Sequence, residues 1–287
     1  MQGKIRLLDS LALGDWSWER LLYGYADGLF RLKVNSTNNS LPTGDKLRRW
    51  TSEHLAPRCS ACSCSCPTLK HVLNGCSAFL FQGRYKWRHD AVLQVIFDAI
   101  SQFVSSHRSD EVSLPYITFV PQGQSTSGSR RPQGQVARRQ LAVGLLGGIH
   151  DWVLMGDGVS NNYSVPPELA ITTLRPDILL FSTTSKSCVL LELTVPFEDT
   201  VQDAAERKTR KYEALQKEIA SNGYTCTLFT VEVGCRGNST ESLRLCLSKL
   251  GLGRRVVNGV CQSAALTALR CSYYIYLSRS NPSWQHR

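Results

Sequence analysis

The stretch Arg175–Leu215, RPDILLFSTTSKSCVLLELTVPFEDTVQDAAERKTRKYEAL, decides how the rest of the chain is read. Pro176-Asp177 leads into an apolar run, Ile178 to Phe181, and a polar segment, Ser182 to Ser187, breaks it. A second apolar run, Cys188 to Val195, follows. Two strand-like runs joined by a short polar turn predict a β-hairpin. After Pro196 the pattern becomes that of a charged helix carrying Lys208, Lys211 and Tyr212. One residue does not fit a run built for burial: Glu192 sits in the middle of the second strand. An unpaired buried carboxylate is costly, so something must compensate it. A divalent cation shared with Asp177 is the best candidate, because facing residues of a strand pair lie about 5 Å apart.

Phosphodiester cleavage needs an activated water and a stabilised leaving oxygen, and a divalent metal can supply both. Magnesium, or manganese in its place, is usually held by one or two carboxylates, with waters and phosphate oxygens completing the shell. A lysine nearby balances charge and orients the water. In the plain PD-(D/E)xK pattern that lysine lies two residues beyond the second acid, where this chain has Thr194. The following helix offers replacements, with Lys208 and Tyr212 four residues apart on one face. The competing reading makes these lysines a solvated face paired with Glu206 and Glu213. By itself, proline-aspartate followed by an acid with fourteen residues between is a weak signal.

Composition narrows the class. The 287 residues suffice for one large or two modest domains, and 42% hydrophobic with 9% aromatic content is ordinary for a folded protein. A net charge of +10 points to an anionic partner, nucleic acid before membrane. No run approaches the ~18 apolar residues of a membrane span, and the first sixteen residues lack a signal-peptide pattern. The cysteines number eleven, an odd count, and five crowd between Cys59 and Cys76. That crowding predicts a metal site in a reducing compartment.

The crowded segment reads Cys59-x2-Cys62, eight residues, His71, four residues, Cys76. Two thiolates on a tight turn, with a His and a Cys from the next turn, can close a tetrahedral zinc site. Cys64 and Cys66 are also available, and Cys66-x4-His71-x4-Cys76 reproduces the tail of a knuckle. Behind it, Arg84, Lys86, Arg88 and His89 interleave with Tyr85 and Trp87, a composition that can hold phosphate and stack on bases. A charged solvated face with Trp87 in the core is the equal alternative. Asp90 is expected to start a helix with Val92, Ile96, Ile100 and Phe103 on its apolar face.

Elsewhere, residues 1–50 read as mostly helical, with Trp16, Trp18, Leu21, Leu22 and Tyr25 apolar and Asn35–Thr43 a turn-rich close. Tyr25–Gly28 resembles half of a polymerase YxDD box, but one acid cannot do that work. Tyr116–Val120 predicts a strand, and Gln122–Gln140 a flexible basic linker whose Arg130 and Arg131 are candidate phosphate contacts. Trp152–Leu154 predicts a strand flanked by Asp151 and Asp157, either a further metal ligand or plain turn acids. Tyr224–Val233 predicts another strand, Ser239–Leu250 a helix stopped by Gly251, and Val256–Leu277 a last helix.

Taken in order, the knuckle, Lys86–Asp90 (KWRHD), Arg175–Asp177, Glu192–Glu198 (ELTVPFE), Glu206–Tyr212 (ERKTRKY) and Glu232–Gly237 (EVGCRG) resemble one family. The chain resembles the C-terminal region of polyproteins of site-specific non-LTR, LINE-type retrotransposons that carry a restriction-like endonuclease. The similarity runs from about Leu41 to Arg279. It implies a PD-(D/E)xK fold: an α/β, restriction-endonuclease-like mixed sheet flanked by helices, preceded by a helical segment with a small CCHC zinc knuckle. It also implies that Asp177 and Glu192 hold Mg2+ or Mn2+, that Lys208 is the catalytic lysine and Tyr212 completes its helix motif, and that Cys59, Cys62, His71 and Cys76 hold Zn2+. Arg84, Lys86, Arg88, Arg130, Arg131 and Lys211 are the expected nucleic-acid contacts. The expected division is a helical lead-in (1–50), the knuckle and its helix (51–104), a strand and basic linker (105–150) and the nuclease domain (151–280). DNA nicking that primes reverse transcription is the implied activity. Element RNA, a reverse transcriptase supplied elsewhere and a nuclear site of action go with it. The alternative is a catalytically inactive, zinc-dependent nucleic-acid-binding fragment.

Overall fold

The computed structural model describes residues 27–51, 58–108, 144–157, 163–281 and 283–284. Within them a central sheet of order β1-β2-β3-β4-β5 is formed by Val153–Gly156, Ile178–Ser182, Ser187–Thr194, Thr225–Gly234 and Asn238–Ser239. It is mixed. β1, β2 and β3 run antiparallel in succession, β3 and β4 run parallel, and β5 returns antiparallel to β4. The expected hairpin is β2–β3, with Ile178 opposite Leu191 and Ser182 opposite Ser187.

Helices lie on both faces. The described ones are α1 (Asp27–Thr37), α2 (Gly44–Thr51), α3 (Ser77–Phe81), α4 (Arg84–Arg108), α5 (Val201–Ser221), α6 (Glu241–Leu250) and α7 (Arg254–Leu277). Alternate residues of each strand feed two cores. Ile178, Leu180, Leu191, Leu193, Val231 and Val233 join Val92, Ile96 and Ile100 of α4, Leu247 of α6 and Ala264 of α7. Leu179, Phe181, Cys188 and Leu190 join Tyr212, Leu215 and Ile219 of α5. Because both faces are covered, β3 is a nearly unbroken apolar run, the pattern of a central strand.

The parallel pairing of β3 and β4 requires a crossover, which α5 supplies. Its inward stripe is Lys208, Tyr212, Leu215 and Ile219, spaced so that the long axis of the helix faces the sheet. Gly251 ends α6 at φ +110°, where a side chain is strained, and its backbone packs on Gly144.

Several expected boundaries shift. α4 begins at Arg84, not Asp90, since Gly83 at φ +73° is the last breaker before an uninterrupted run without Gly or Pro. α1 continues through Thr37, so the turn-rich segment opens only at Asn38. α6 starts at Glu241 and α7 at Arg254. Trp16, Trp18, Leu21, Leu22, Tyr25, Tyr116–Val120, the Gln122–Gln140 segment, Arg130 and Arg131 lie outside the described residues.

Candidate functional site

The cysteine-rich segment folds into one cluster. Cys59, Cys62, His71 and Cys76 bring one ligand atom each to within 4.8 Å of all the others. Cys59 Sγ lies 3.9 Å from Cys76 Sγ, and Cys62 Sγ lies 3.4 Å from His71 Nε2. Such spacings fit four ligands at the ~2.0–2.3 Å bond lengths of a tetrahedral metal such as zinc. A tight turn presents the first two ligands: Ser63 N–H donates to the Cys59 carbonyl at 2.9 Å, and Ser63 takes φ +61°. His71 opens a single π turn, His71–Gly75, that delivers Cys76 behind it. Cys64 and Cys66, which the spacing left open, stand outside the cluster. Burial pushes the Cys76 thiol up to about 12; burial acts the same way at Cys59, but the backbone N–H groups of Cys62 and Ala61 and the Cys62 and Cys76 thiols together lower it.

Helix α4 holds this loop by its carbonyls. Tyr85 Oη donates toward the carbonyls of His71 and Val72 and accepts the Cys76 N–H at 3.0 Å. Arg88 donates to Leu73 O at 2.8 Å, Asn74 Oδ1 at 3.1 Å, Ser272 Oγ at 3.0 Å and Val195 O at 3.1 Å. Arg84 donates to Ser278 O and Asn281 O and stacks on Phe79. Both guanidinium groups are buried. The expectation that Arg84 and Arg88 contact nucleic acid is therefore corrected. Their terminal nitrogens are engaged by buried backbone carbonyls and nearby side-chain oxygens, several of which would otherwise be unsatisfied. Trp87 packs against Tyr274 and Trp284, and Lys86 alone of the predicted trio is exposed.

One residue beyond Arg88, α4 also reaches the acidic site. Asp177 precedes β2 and Glu192 lies in β3, and by the hairpin register they face each other. The Asp177 N–H donates to Glu192 Oε2 at 3.2 Å. The Lys208 ammonium donates to Glu192 Oε1, so the helix lysine points at the acid and away from the Glu206 and Glu213 pairs on the solvent side. Burial, then the charge of Asp177, raises the Glu192 pKa, and Lys208 pulls it back down. Asp177 Oδ2 accepts the Leu193 N–H at 2.7 Å, while no hydrogen bond among the described residues reaches Oδ1.

Tyr212 is fully buried, and its hydroxyl donates to the Arg175 carbonyl at 2.8 Å and accepts from Lys211 at 2.9 Å. Tyr163 does the same for the next peptide, donating to Pro176 O at 2.5 Å. Two tyrosines thus brace the backbone that presents Asp177; only one of them lay in a motif. Of the two acids flanking β1, Asp151 caps the distant Ser182–Thr184 turn. Asp157 stands at the site end, its N–H on the Asp177 carbonyl at 2.9 Å and its carboxylate 3.9 Å from Arg175.

His89 was grouped with the basic residues of α4, yet it belongs here. Its Nε2 lies 3.2 Å from Asp177 Oδ2 and 3.3 Å from Leu193 O, and its Nδ1 lies 3.1 Å from Asp90 Oδ1. Burial alone would lower its pKa, but the hydrogen bonds to Asp177 and Asp90 raise it to about 10. With only oxygens facing both nitrogens, the ring donates from each. The sequence signals were its place in Lys86–Asp90 (KWRHD) and among the basic residues of α4, neither of which pointed to the acids.

The EVGCRG segment, by contrast, is architectural. Arg236 donates to both oxygens of buried Glu198, through Nε at 2.5 Å and its own N–H at 2.8 Å. A side chain at Gly234 would strike the same carboxylate. Lys33 of α1 reaches the Arg236 and Gly237 carbonyls, docking the lead-in on this corner.

No protein-family model matches the sequence, and no curated protein is detectably similar to it. Among the described residues no helix is long and apolar enough to cross a membrane.

Proposed function

We propose that this chain is a divalent-metal-dependent DNA endonuclease of the restriction-like, PD-(D/E)xK type, with a zinc-bearing knuckle held against α4. The observation that carries the reading is the meeting of Asp177, Glu192 and Lys208, three residues from two strands and a helix, at one edge of a mixed sheet. The donor set suits a hard cation: two carboxylates, one with an oxygen free of hydrogen bonds among the described residues. Asp177 and Glu192 would hold Mg2+ or Mn2+, which when bound lowers the pKa of water and stabilises charge on phosphate oxygens.

The chain's own groups divide the remaining work. Lys208 Nζ, which donates to Glu192, would hydrogen-bond the attacking water and offset charge on the phosphate. Tyr212 works from behind, fixing the Arg175 carbonyl and so the direction of Asp177. Exposed Arg207, Arg210 and Lys211 on α5, with Lys86 on α4, offer phosphate contacts of the salt-sensitive, sequence-independent kind. Zn2+ in the Cys59, Cys62, His71, Cys76 cluster is structural, since four protein ligands leave no open position. The retrotransposon resemblance supplies the biological frame: target nicking in the nucleus, with element RNA and a reverse transcriptase domain as partners.

Nicking of supercoiled plasmid by the zinc-loaded protein tests this, with magnesium added or omitted; EDTA is avoided because it would strip zinc. Magnesium-dependent nicking lost in Asp177→Ala and Lys208→Ala is expected. DNA retention without nicking supports a zinc-dependent binding module instead, a reading favoured by the fact that both Glu192 oxygens already have donors. Nicking that survives both substitutions overturns the site.

A further inference from the structure

We propose that His89 is a positioning residue of the acidic site, and that its Nε2 contact with Asp177 Oδ2 sets the affinity of that site for divalent cation. The inference rests on the nuclease reading above and names a group that reading did not use.

His89 is carried by α4, a helix on the face of the sheet opposite α5. It nevertheless reaches around the strand end to touch Asp177 Oδ2 and the Leu193 carbonyl, one on each side of the hairpin. With the Leu193 N–H also on Oδ2, that oxygen has two donors and the carboxylate has a single orientation. Oδ1 is left as the oxygen without a hydrogen bond among the described residues. Without the ring, Asp177 can rotate, and the choice of ligand oxygen is lost. The ring is itself fixed from two directions. Asp90 Oδ1 accepts from Nδ1, and the neighbouring Arg88 pins α4 to Val195 O, two residues beyond the carbonyl that His89 touches. Outer hydrogen bonds that orient a ligand carboxylate are worth roughly 10–100-fold in metal affinity.

Two substitutions separate this role from a general effect on packing. Glutamine places its amide nitrogen near the position of Nε2, so His89→Gln keeps the donor to Asp177 and gives up the contact with Asp90. Asparagine places its nitrogen near Nδ1, so His89→Asn keeps the reverse set. The zinc-loaded full chain of each variant is titrated with Mn2+, and free ion is followed by its electron paramagnetic resonance signal. Asp177→Asn defines the binding that belongs to this site. Zinc content and thermal unfolding report whether each variant is folded.

The expected result is a loss of Asp177-dependent Mn2+ affinity of roughly 10-fold or more in His89→Asn, with His89→Gln close to wild type. Equal affinities in all three proteins, or equal losses in both variants, overturn the proposal. Should His89→Asn not fold, His89→Gln alone decides, because a tenfold loss in that folded protein contradicts the role of the Nε2 donor. Absence of any Asp177-dependent binding in the wild type is a different failure: it removes the nuclease reading, and the proposal with it.

Discussion

Thr194 and Glu232 face each other across the parallel β3–β4 pair, and each buries one side-chain oxygen that has no hydrogen-bond partner. Thr194 occupies the position where the plain motif keeps its lysine. Glu232 lies beside it with one oxygen held by Ser242 at 2.5 Å and the other bare. Burial raises its pKa. A carboxyl whose folded pKa lies above its unfolded value stabilises the fold only while protonated, and the loss grows as pH rises toward the folded value. Glu232→Gln should therefore be more stable than wild type near neutrality, by about 1 kcal/mol, with the gap closing on acidification below pH 4. Urea unfolding at two pH values measures it, and a less stable glutamine variant sinks the argument.

Arg88 gives the second prediction. Its guanidinium satisfies groups on the knuckle loop, on the segment after β3 and on α7. Arg88→Ala strands at least two buried carbonyls, so a stability loss of about 3 kcal/mol or more is expected. Lysine cannot reproduce the fork, and Arg88→Lys should recover only part of it. If Arg88 instead contacted phosphate, the variant would keep its midpoint and lose DNA retention; that outcome reinstates the composition-based reading.

Lys33 makes a statement about pH. Burial lowers its pKa from 10.5 to about 8, with the charge of Glu198 acting against that shift. Between these values the unfolded chain holds the proton and the folded chain does not. Stability contributed by this group accordingly rises from pH 8 to pH 10.5, by an amount on the order of 3 kcal/mol. Below pH 8 both states are charged and the term is flat. Thiols of the unfolded chain titrate in the same range, so the difference between wild type and Lys33→Met is the quantity to measure. A difference that does not change across this range would contradict the burial argument.

The knuckle predicts unequal cysteines. Cys76→Ser should cost bound zinc and lower the thermal midpoint sharply, because structural zinc binding is folding free energy. Cys64→Ser should leave stoichiometry at one ion per chain, as Cys64 stands outside the cluster. Zinc counted by a colorimetric chelator after unfolding distinguishes the two.

What the sequence made legible was whatever local period or spacing encodes. The β2–β3 hairpin, the acid within it and the Lys208–Tyr212 face follow from patterns a few residues long. The cluster of Cys59, Cys62, His71 and Cys76 was one of the sets the spacing allowed, with Cys64 and Cys66 left open until the fold placed them outside it. The basic and aromatic residues of α4 were a different matter. Arg84 and Arg88 have the composition of a phosphate surface, but that composition also suits the capping of carbonyls from segments such as Val195 and Ser278, more than a hundred residues away. Only tertiary placement separates the two. His89 and Tyr163 escaped for the same reason, since their partners Asp177 and Pro176 come from other elements.

The apolar core shared by α4 and the sheet has a practical consequence. A fragment cut to begin at β1 would bare the flank formed by Ile178, Leu180, Leu191 and Leu193 and strip the Val195 carbonyl of its donor. The half that carries the acids is thus not a portable module. It can be inherited, expressed or lost only together with the cysteine-bearing half that roofs it.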